Sequence, residues 1–483
     1  MSDGGKNLIP PHLLALLGGD ESHLRGEVEK ALGKSVDRIS TGRLGRAFKL
    51  GALAASGGAR MALGRAKQAL GGEGPLLSKK DGAALALEML ETFSELRGVA
   101  QKLGQMLSYV PNGLPPEVQK LLVLLQRDAP AMPYATVRTV LTEALGRDPD
   151  TVFASFEPAP LAAASIGQVH RATLADGTRV AVKVQYPGIE KAMRSDLKNG
   201  QVAALFNRLL FVHTDVKGIM GELEERLIDE CDYTKEADYQ RSFRERFAGH
   251  PTIVVPEVHD ALSSKRVLVT TLQPGRSFYE WIASNPDAAT RKRATRAFYR
   301  FYLGSFYLDG VFNCDPHPGN YLFQDDGRVV FLDYGCCRRF TEERRQGWIA
   351  LAKAVRGDVQ SELDRQGRVM GFIPEGVDYE YASFRSLMRH LYQPYLVDEE
   401  YDFSRHQPLD TFRGMFTENQ NLFRMNMPPD CVFLNRITFG LVSIMAEIGS
   451  TLNVYQMGDH YFEGRDPDWP EDWKLAARPV AAP

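Results

Sequence analysis

Residues 313–335, with the sequence NCDPHPGNYLFQDDGRVVFLDYG, constrain the fold of this chain more than any other segment. Asp315 stands five residues before Asn320, in a loop that contains proline and glycine. The Asp-Asp-Gly sequence at 325–327 predicts a hairpin turn, and the apolar run after it predicts a returning strand. Because this strand ends at Asp333, the hairpin is expected to bring a second aspartate back towards the first.

The three polar residues have the spacing of a kinase catalytic loop, in which a base is followed by an asparagine and then an aspartate for Mg²⁺. Phosphoryl transfer needs metal ions that bridge the nucleotide oxygens and a carboxylate that orients the acceptor. The spacing therefore predicts Asp315 as the base, with Asn320 and Asp333 as ligands of Mg²⁺. Taken alone, the segment is equally compatible with a surface loop and an ordinary hairpin.

An upstream strand carries a candidate phosphate-binding lysine. Lys183 lies near the end of an apolar stretch at 178–186 that follows an Asp-Gly turn, as the lysine of a third kinase strand does. Four small residues precede this hairpin, where a kinase has its glycine-rich loop: Ala162, Ala163, Ala164 and Ser165. Alanine lets the backbone approach phosphate but lacks the positive-φ freedom of glycine, so the sequence predicts a stiffer lid. Taken singly, an ordinary core strand and an alanine-rich turn remain open.

Together these residues resemble the UbiB (AarF-type) family of atypical kinase-like proteins, which includes the mitochondrial coenzyme-Q-biosynthesis kinases. The resemblance spans roughly residues 39–450. Four motifs carry it: KLGQ at 102–105, AAAS at 162–165, ECD at 230–232 with EA at 236–237, and DPHPGN at 315–320. The resemblance implies an α+β, bilobal protein-kinase-like fold. That fold has a β-rich N-lobe and a helical C-lobe, and in this family an N-terminal helical extension packs over the active site.

The resemblance also implies that Lys102 and Gln105 enter the mouth of the active site, where Lys102 pairs with Glu230 and Asp232. The lysine and glutamine share a helix face at i and i+3, and a buried ammonium group needs a carboxylate partner. Two carboxylates two residues apart diverge on a helix, so an irregular or terminal turn is expected at 230–232. Solvated helix surfaces are the alternative for both motifs.

The resemblance further implies that the nucleotide is ATP or ADP with Mg²⁺, and that Lys183 has a carboxylate partner on a following helix. Glu224, six residues before Glu230, is the predicted partner, and Glu222 and Glu225 remain alternatives.

Two departures from ordinary kinases concern the acceptor. Asn313 stands where those enzymes have histidine, so different contacts must brace the loop. Thr341 resembles a helix N-cap followed by acidic residues, which leaves no long activation loop for a peptide. The resemblance implies ATPase activity or phosphorylation of a small molecule or lipid in support of quinone (ubiquinone-type) biosynthesis. A nucleotide-gated, membrane-associated scaffold is the alternative; an antibiotic kinase leaves the 102–105 and 230–232 motifs unexplained.

Charge and apolar content bear on partners and location. Residues 25–67 include ten basic and three acidic residues, around a stretch of small residues. This composition is compatible with a segment that lies on an anionic membrane surface or with a solvated helix. Neither a signal peptide nor an apolar run of roughly 18–20 residues is apparent. We therefore expect a cytoplasmic protein, peripheral at the inner face of the membrane. The resemblance implies that its partners are a quinone-precursor lipid and quinone-biosynthesis enzymes. The net charge of −3 argues against nucleic acid.

The expected organisation has five parts: a flexible basic segment at 1–80, a helical extension at 81–150, the N-lobe at 151–273, the C-lobe at 274–460 and a tail at 461–483. The five cysteines lack CxxC spacing, which fits a reducing compartment without a zinc site. The neighbours Cys336 and Cys337 are interpreted as packing residues.

Overall fold

The computed structural model describes residues 131–164, 166–198, 228–405, 425 and 428–467. The chain divides into two compact units. The first comprises Met1–Ala172 and Val182–Cys231, and the second comprises Thr173–Ala181 and Asp232–Pro483. Apart from its final part, the predicted N-terminal extension lies outside the described residues.

The first unit is built mainly on antiparallel strands. Its described helices are α1 (Tyr134–Leu145) and α2 (Ile189–Lys198). Its described strands are β1 (Phe153–Phe156), β2 (Ala162–Ala164) and the larger parts of β3 (Gly167–Leu174) and β4 (Arg179–Gln185). β3 lies between β1 and β4, and β2 pairs with β3. Along β4, Val182 and Val184 are fully buried while Lys183 between them is half-buried, the alternation of a strand with one core face. The strand predicted over 178–186 is confirmed.

The second unit begins with the hairpin turn before β4 and continues with short strands. These are β5 (Ile253–Val254), β6 (Val267–Thr271), β7 (Arg276–Ser277), β8 (Val311–Asn313), β9 (Tyr321–Phe323), β10 (Val329–Phe331), β11 (Cys337–Arg339), β12 (Tyr401–Asp402) and β13 (Thr451–Leu452). β6 pairs with β4, whose first residues belong to this unit. Three further sheets have the strand orders β5-β10-β9-β7, β11-β8 and β12-β13.

Most of the regular secondary structure in the described part of the second unit is helical. The helices are α3 (Tyr233–Arg246), α4 (Phe278–Ala283), α5 (Ala288–Tyr299), a π-helix (Arg300–Asp309), α6 (Glu342–Gly357), α7 (Gln360–Val369), α8 (Tyr381–Leu391), α9 (Pro429–Ile448) and α10 (Val454–Phe462). Thr341 caps α6, where its side chain accepts a hydrogen bond from the Arg344 N–H, as its position before two acidic residues predicted. No helix among these described elements is long and apolar enough to cross a membrane.

Aromatic rings support the hairpin that was predicted at 325–327. β9 and β10 pair antiparallel with Phe323 opposite Val329, and Gly327 takes the positive φ of 88° that the turn requires. Phe331 of β10 stacks on Phe301 of the π-helix, with ring centroids 3.7 Å apart. The hairpin therefore rests on the π-helix that leads into β8.

A buried ion cluster anchors the same π-helix. Arg300, 1% exposed, pairs with Asp466 near the end of the described chain, and Arg246 of α3 pairs with Asp309. Burial, with the charges of Arg300 and Arg339, lowers the pKa of Arg246 to about 9. Because an unpaired buried charge is costly, these pairs fix the π-helix against α3 and the C-terminal residues.

Candidate active site

A single amide joins the two loops that carry the predicted aspartates. Asn313 ends β8 and is 2% exposed. Its Nδ2 donates to the carbonyl oxygen of Asp333 across 2.6 Å, and its Oδ1 accepts from the N–H of Asp315 across 2.7 Å. The side chain that differs from the histidine of ordinary kinases thus braces both loops directly. Each such hydrogen bond contributes about 1 kcal/mol, and more is lost when a buried partner is left unsatisfied.

Asn320 is held in place from several sides. It ends a 3₁₀ turn, Pro318–Asn320, and its Nδ2 donates to the carbonyl oxygen of Asp315 across 3.3 Å. The Leu332 N–H donates to the Asn320 carbonyl, which links this turn to the end of β10. His317 Nδ1 accepts from the Gly319 N–H and closes the loop. Because its amide nitrogen bonds to Asp315, Asn320 would offer its side-chain oxygen to the predicted Mg²⁺.

Two acidic side chains stand at Gly335. Asp333 Oδ1 accepts from the Gly335 N–H across 2.9 Å. A Cβ added at Gly335 would lie 3.3 Å from that oxygen and 3.5 Å from Oε2 of Glu236, which α3 supplies and which is 5% exposed. Glu236 belongs to the motif at 236–237, but the motif alone predicted no role for it. The signal that could have found it is its position in the sequence, six residues after Glu230 in the same charge-rich segment.

The carboxylates of the site also act on the buried thiol of Cys337. Burial raises the pKa of Cys337 far above its usual range, and neighbouring negative groups raise it further: Cys336, Asp333, Glu236 and Asp315. Cys337 is therefore a neutral packing residue, as predicted, and it lies within the negative field of the site. Such a field favours a bound cation.

Buried phenols support the loop from below. The Tyr302 hydroxyl contacts the Tyr321 hydroxyl at 2.6 Å and donates to the carbonyl oxygen of Asp315 across 3.4 Å. Burial raises the pKa of Tyr302 far above its usual range, so this group stays a neutral donor. The Tyr334 hydroxyl donates to the Phe331 carbonyl and holds the Asp-Tyr-Gly turn against β10.

The donor atoms fit Mg²⁺. Asn320 and Asp333 offer an amide and a carboxylate oxygen, the hard ligands that this ion prefers. Across the described residues, no group of three or more His, Cys, Asp or Glu side chains is arranged to hold a metal ion. Two protein ligands are compatible with Mg²⁺ because it commonly binds through one or two protein ligands and completes its coordination with phosphate oxygens and water.

The first unit carries the predicted nucleotide residues. Ala162–Ala164 form strand β2 instead of a loop, because their backbone pairs with β3, and Ala164 lies opposite Gly167. Lys183 lies on the half-buried face of β4. The nucleotide roles of these residues remain predictions.

The ECD motif occupies a terminal turn, as predicted. Asp232 is the N-cap of α3, and its Oδ1 accepts from the N–H and the hydroxyl of Thr234. Gln185, at the end of β4, donates to the Cys231 carbonyl across 2.9 Å and so ties the motif to the strand of Lys183. Several predicted residues lie outside the described residues, so their pairing stays a prediction: Lys102, Gln105, Ser165, Glu224, Glu222 and Glu225.

A sheet unit, a helix-rich unit and a hairpin flanked by two braced aspartates define a protein of the kinase-like class. Residues 124–363 match the ABC1 atypical kinase-like domain. The chain therefore carries an atypical kinase domain of the ABC1/UbiB family.

Curated relatives agree with this assignment. The chain is 31% identical to the protein named atypical kinase COQ8B, mitochondrial, of Rattus norvegicus, over 71% of this chain and 65% of the relative. For the Danio rerio protein of that name the identity is 30%, over 76% and 60%. The Saccharomyces cerevisiae protein named atypical kinase COQ8, mitochondrial, is 26% identical over 92% of this chain and 90% of the relative. The chain thus spans less than two thirds of the two COQ8B proteins.

A solved structure shares the fold. It is titled as the complex of Rv3197 with erythromycin from Mycobacterium tuberculosis, and it superposes with a TM-score of 0.57 at 27% identity. The match covers 79% of this chain and 98% of that protein. The predicted kinase-like fold class is therefore confirmed.

Proposed function

We propose that this chain binds ATP or ADP with Mg²⁺ and transfers the terminal phosphoryl group to a small molecule, a lipid or water. The observation that carries the proposal is the amide of Asn313, which holds the backbones of Asp315 and Asp333 in one unit. Phosphoryl transfer depends mainly on positioning and charge, so a rigid link between the base and a metal ligand is what the reaction needs.

Each predicted residue has a role in this scheme. Asp315 accepts the proton of the attacking hydroxyl, and its backbone is fixed by Asn313 and Tyr302. Asn320 and Asp333 hold Mg²⁺, which when bound neutralises charge on the phosphate oxygens. The family resemblance assigns Lys183 to the α- and β-phosphates, 162–165 to the lid over them, and the pairing of Lys102 with Glu230 to control of access.

The acceptor is proposed to be small or lipidic. Only the five residues 336–340 separate Gly335 from the N-cap Thr341, and three of them form β11. Such a short connection offers no platform for an extended peptide. The names of the COQ8 relatives support a role in ubiquinone-type lipid biosynthesis. The basic residues within 25–67, which lie outside the described residues, are proposed to contact an anionic membrane near quinone-biosynthesis enzymes.

The same short connection also suits a second function, a nucleotide-gated scaffold that transfers no phosphate. In that case ATP or ADP would set the conformation of the 102–105 segment, and a membrane lipid or an associated enzyme would respond to it. The two functions share nucleotide binding and differ in turnover.

Calorimetry and phosphate release test both. We expect the purified chain to bind adenine nucleotide only with Mg²⁺, and to release phosphate faster with anionic liposomes containing a polar-headed isoprenoid quinone precursor. Binding without turnover under every lipid condition would favour the scaffold. Absence of Mg²⁺-dependent binding would contradict both functions.

A further inference from the structure

Two cysteines flank the candidate base and the Asp-Tyr-Gly turn. β8 and β11 pair antiparallel with Asn313 opposite Cys337, so continuing the register by one residue places Cys314 opposite Cys336. The Cys314 N–H donates to the Cys336 carbonyl across 2.7 Å, which extends the ladder to this pair. Both side chains are thiols in this structure.

Opposed residues on antiparallel strands project from the same face of the sheet. A hydrogen-bonded pair has its Cα atoms about 5.5 Å apart, inside the range of about 4.4–6.8 Å that disulfides span. Cβ atoms of opposed residues are about 4.5–5.5 Å apart, whereas a disulfide prefers about 3.5–4.5 Å. Closing the bond therefore draws the strands together by about 1 Å, and the resulting strain makes the disulfide easy to reduce.

Cys337, the third cysteine nearby, is excluded as a disulfide partner by the direction and burial of its side chain. Cys337 follows Cys336 in the strand and so faces the opposite side of the sheet, where it is 4% exposed. Cys336 is half-buried and within reach of a small reagent, whereas Cys314 is fully buried. The accessible thiol thus reacts first, and the buried one can attack it across the ladder.

We propose that Cys314 and Cys336 form a reversible disulfide that switches the site in response to low-molecular-weight disulfides. The Cys336 thiolate attacks one sulfur of the reagent, breaks its S–S bond and expels one thiolate. Cys314 loses its proton and attacks the Cys336 sulfur, which expels the second thiolate. The two protons end on the two released thiols, so two protein thiols and one disulfide give one protein disulfide and two small thiols.

The consequence for the site follows from the chain order, and it rests on the proposed function. Cys314 directly precedes Asp315, and Cys336 directly follows Gly335. A movement of about 1 Å at these positions displaces the base relative to Asp333, and a displacement of that size can slow an enzyme by about 10²-fold. The transient redox disulfides found in reducing compartments are of this kind.

The test uses the full chain, incubated with oxidised glutathione and then blocked with N-ethylmaleimide. Peptide mapping without reductant is expected to find residues 314 and 336 linked, and phosphate release to fall by about 10²-fold. Dithiothreitol is expected to restore it. The Cys336→Ser variant should release phosphate at the rate of the reduced wild type and lose the response to oxidised glutathione. The matched variant Cys337→Ala should retain that response. Cys314→Ala provides a second variant at the buried position.

Failure of the linkage, or a Cys337→Ala variant that loses the response, would overturn the proposal. A linked protein with unchanged phosphate release would overturn the switch. If the reduced wild type releases no phosphate, the proposed function fails, and peptide mapping alone decides whether the disulfide forms.

Discussion

The side chain of Asn313 donates a hydrogen bond to the carbonyl oxygen of Asp333 across 2.6 Å. Its amide oxygen accepts from the Asp315 N–H, so the strand end between them fixes the spacing of the two aspartates. A carboxylate at this position could serve the second bond but could not make the first, and this difference provides a direct test.

Asn313→Asp should lower the turnover number by about 10- to 100-fold, because it removes the donor to Asp333 and leaves that carbonyl facing an anion. The free energy of unfolding should fall by about 1–3 kcal/mol. Phosphate release and urea unfolding measure the two effects. Asn285→Asp is the matched control: its side-chain oxygen accepts from Arg291, a role that a carboxylate retains. Equal losses in both variants would contradict a bracing role for Asn313.

Asp315→Asn should reduce phosphate release by about 10²-fold or more while nucleotide affinity is retained, because the amide cannot accept the proton of the attacking hydroxyl. End-point phosphate assays measure the rate of phosphate release, and calorimetry measures the nucleotide affinity. Asp325→Asn, at a hairpin position whose side chain is 94% exposed, controls for loss of one negative charge. Unchanged turnover in Asp315→Asn would remove its assignment as the base.

Gly335→Ala should raise the Mg²⁺ concentration needed for half-maximal phosphate release. The added Cβ would stand 3.3 Å from Asp333 Oδ1 and 3.5 Å from Glu236 Oε2, so the Asp333 carboxylate must shift away. Gly357→Ala, at the end of α6 with nothing within 4 Å of the new Cβ, is the control. A magnesium titration of both variants decides the point; superimposable curves would show that Asp333 does not hold the metal.

Acid should destabilise the protein through His250. Its Nδ1 accepts from the N–H groups of Thr252 and Ile253 at 3.1 Å, and burial, with the charge of Arg300, lowers its pKa to about 3. In the unfolded chain His250 binds a proton below about pH 6.5, whereas in the folded chain it binds one only below about pH 3. The contribution of His250 to the free energy of unfolding is therefore fully present above about pH 6.5, and it declines as the pH falls towards 3.

Between pH 7 and pH 5 this linkage amounts to about 2 kcal/mol of the free energy of unfolding. His250→Asn keeps an acceptor near the Nδ1 position and removes the titration. Urea unfolding of both proteins at the two pH values should show a smaller decline for the variant. Parallel declines would indicate that other groups carry the acid sensitivity.

Local patterns predicted the elements that depend on neighbouring residues. The strand of Lys183 was predicted from its apolar stretch after an Asp-Gly turn, and the β9–β10 hairpin from its own Asp-Gly turn. The start of α6 was predicted from Thr341 and the acidic residues after it. At Ala162–Ala164 the pattern was misleading, because pairing with β3 outweighs the weak strand preference of alanine.

The spacing of Asp315, Asn320 and Asp333, together with the motifs, predicted the fold class, which is confirmed. The same residues define the candidate site because a loop and its hairpin are contiguous in the chain, and their catalytic and metal-binding roles stay predictions. Only tertiary structure brought Glu236 to Gly335, gave Asn313 its two partners and set Cys314 opposite Cys336. These contacts depend on how a distant helix and two strands pack, and local periodicity carries no information about the partner across a fold.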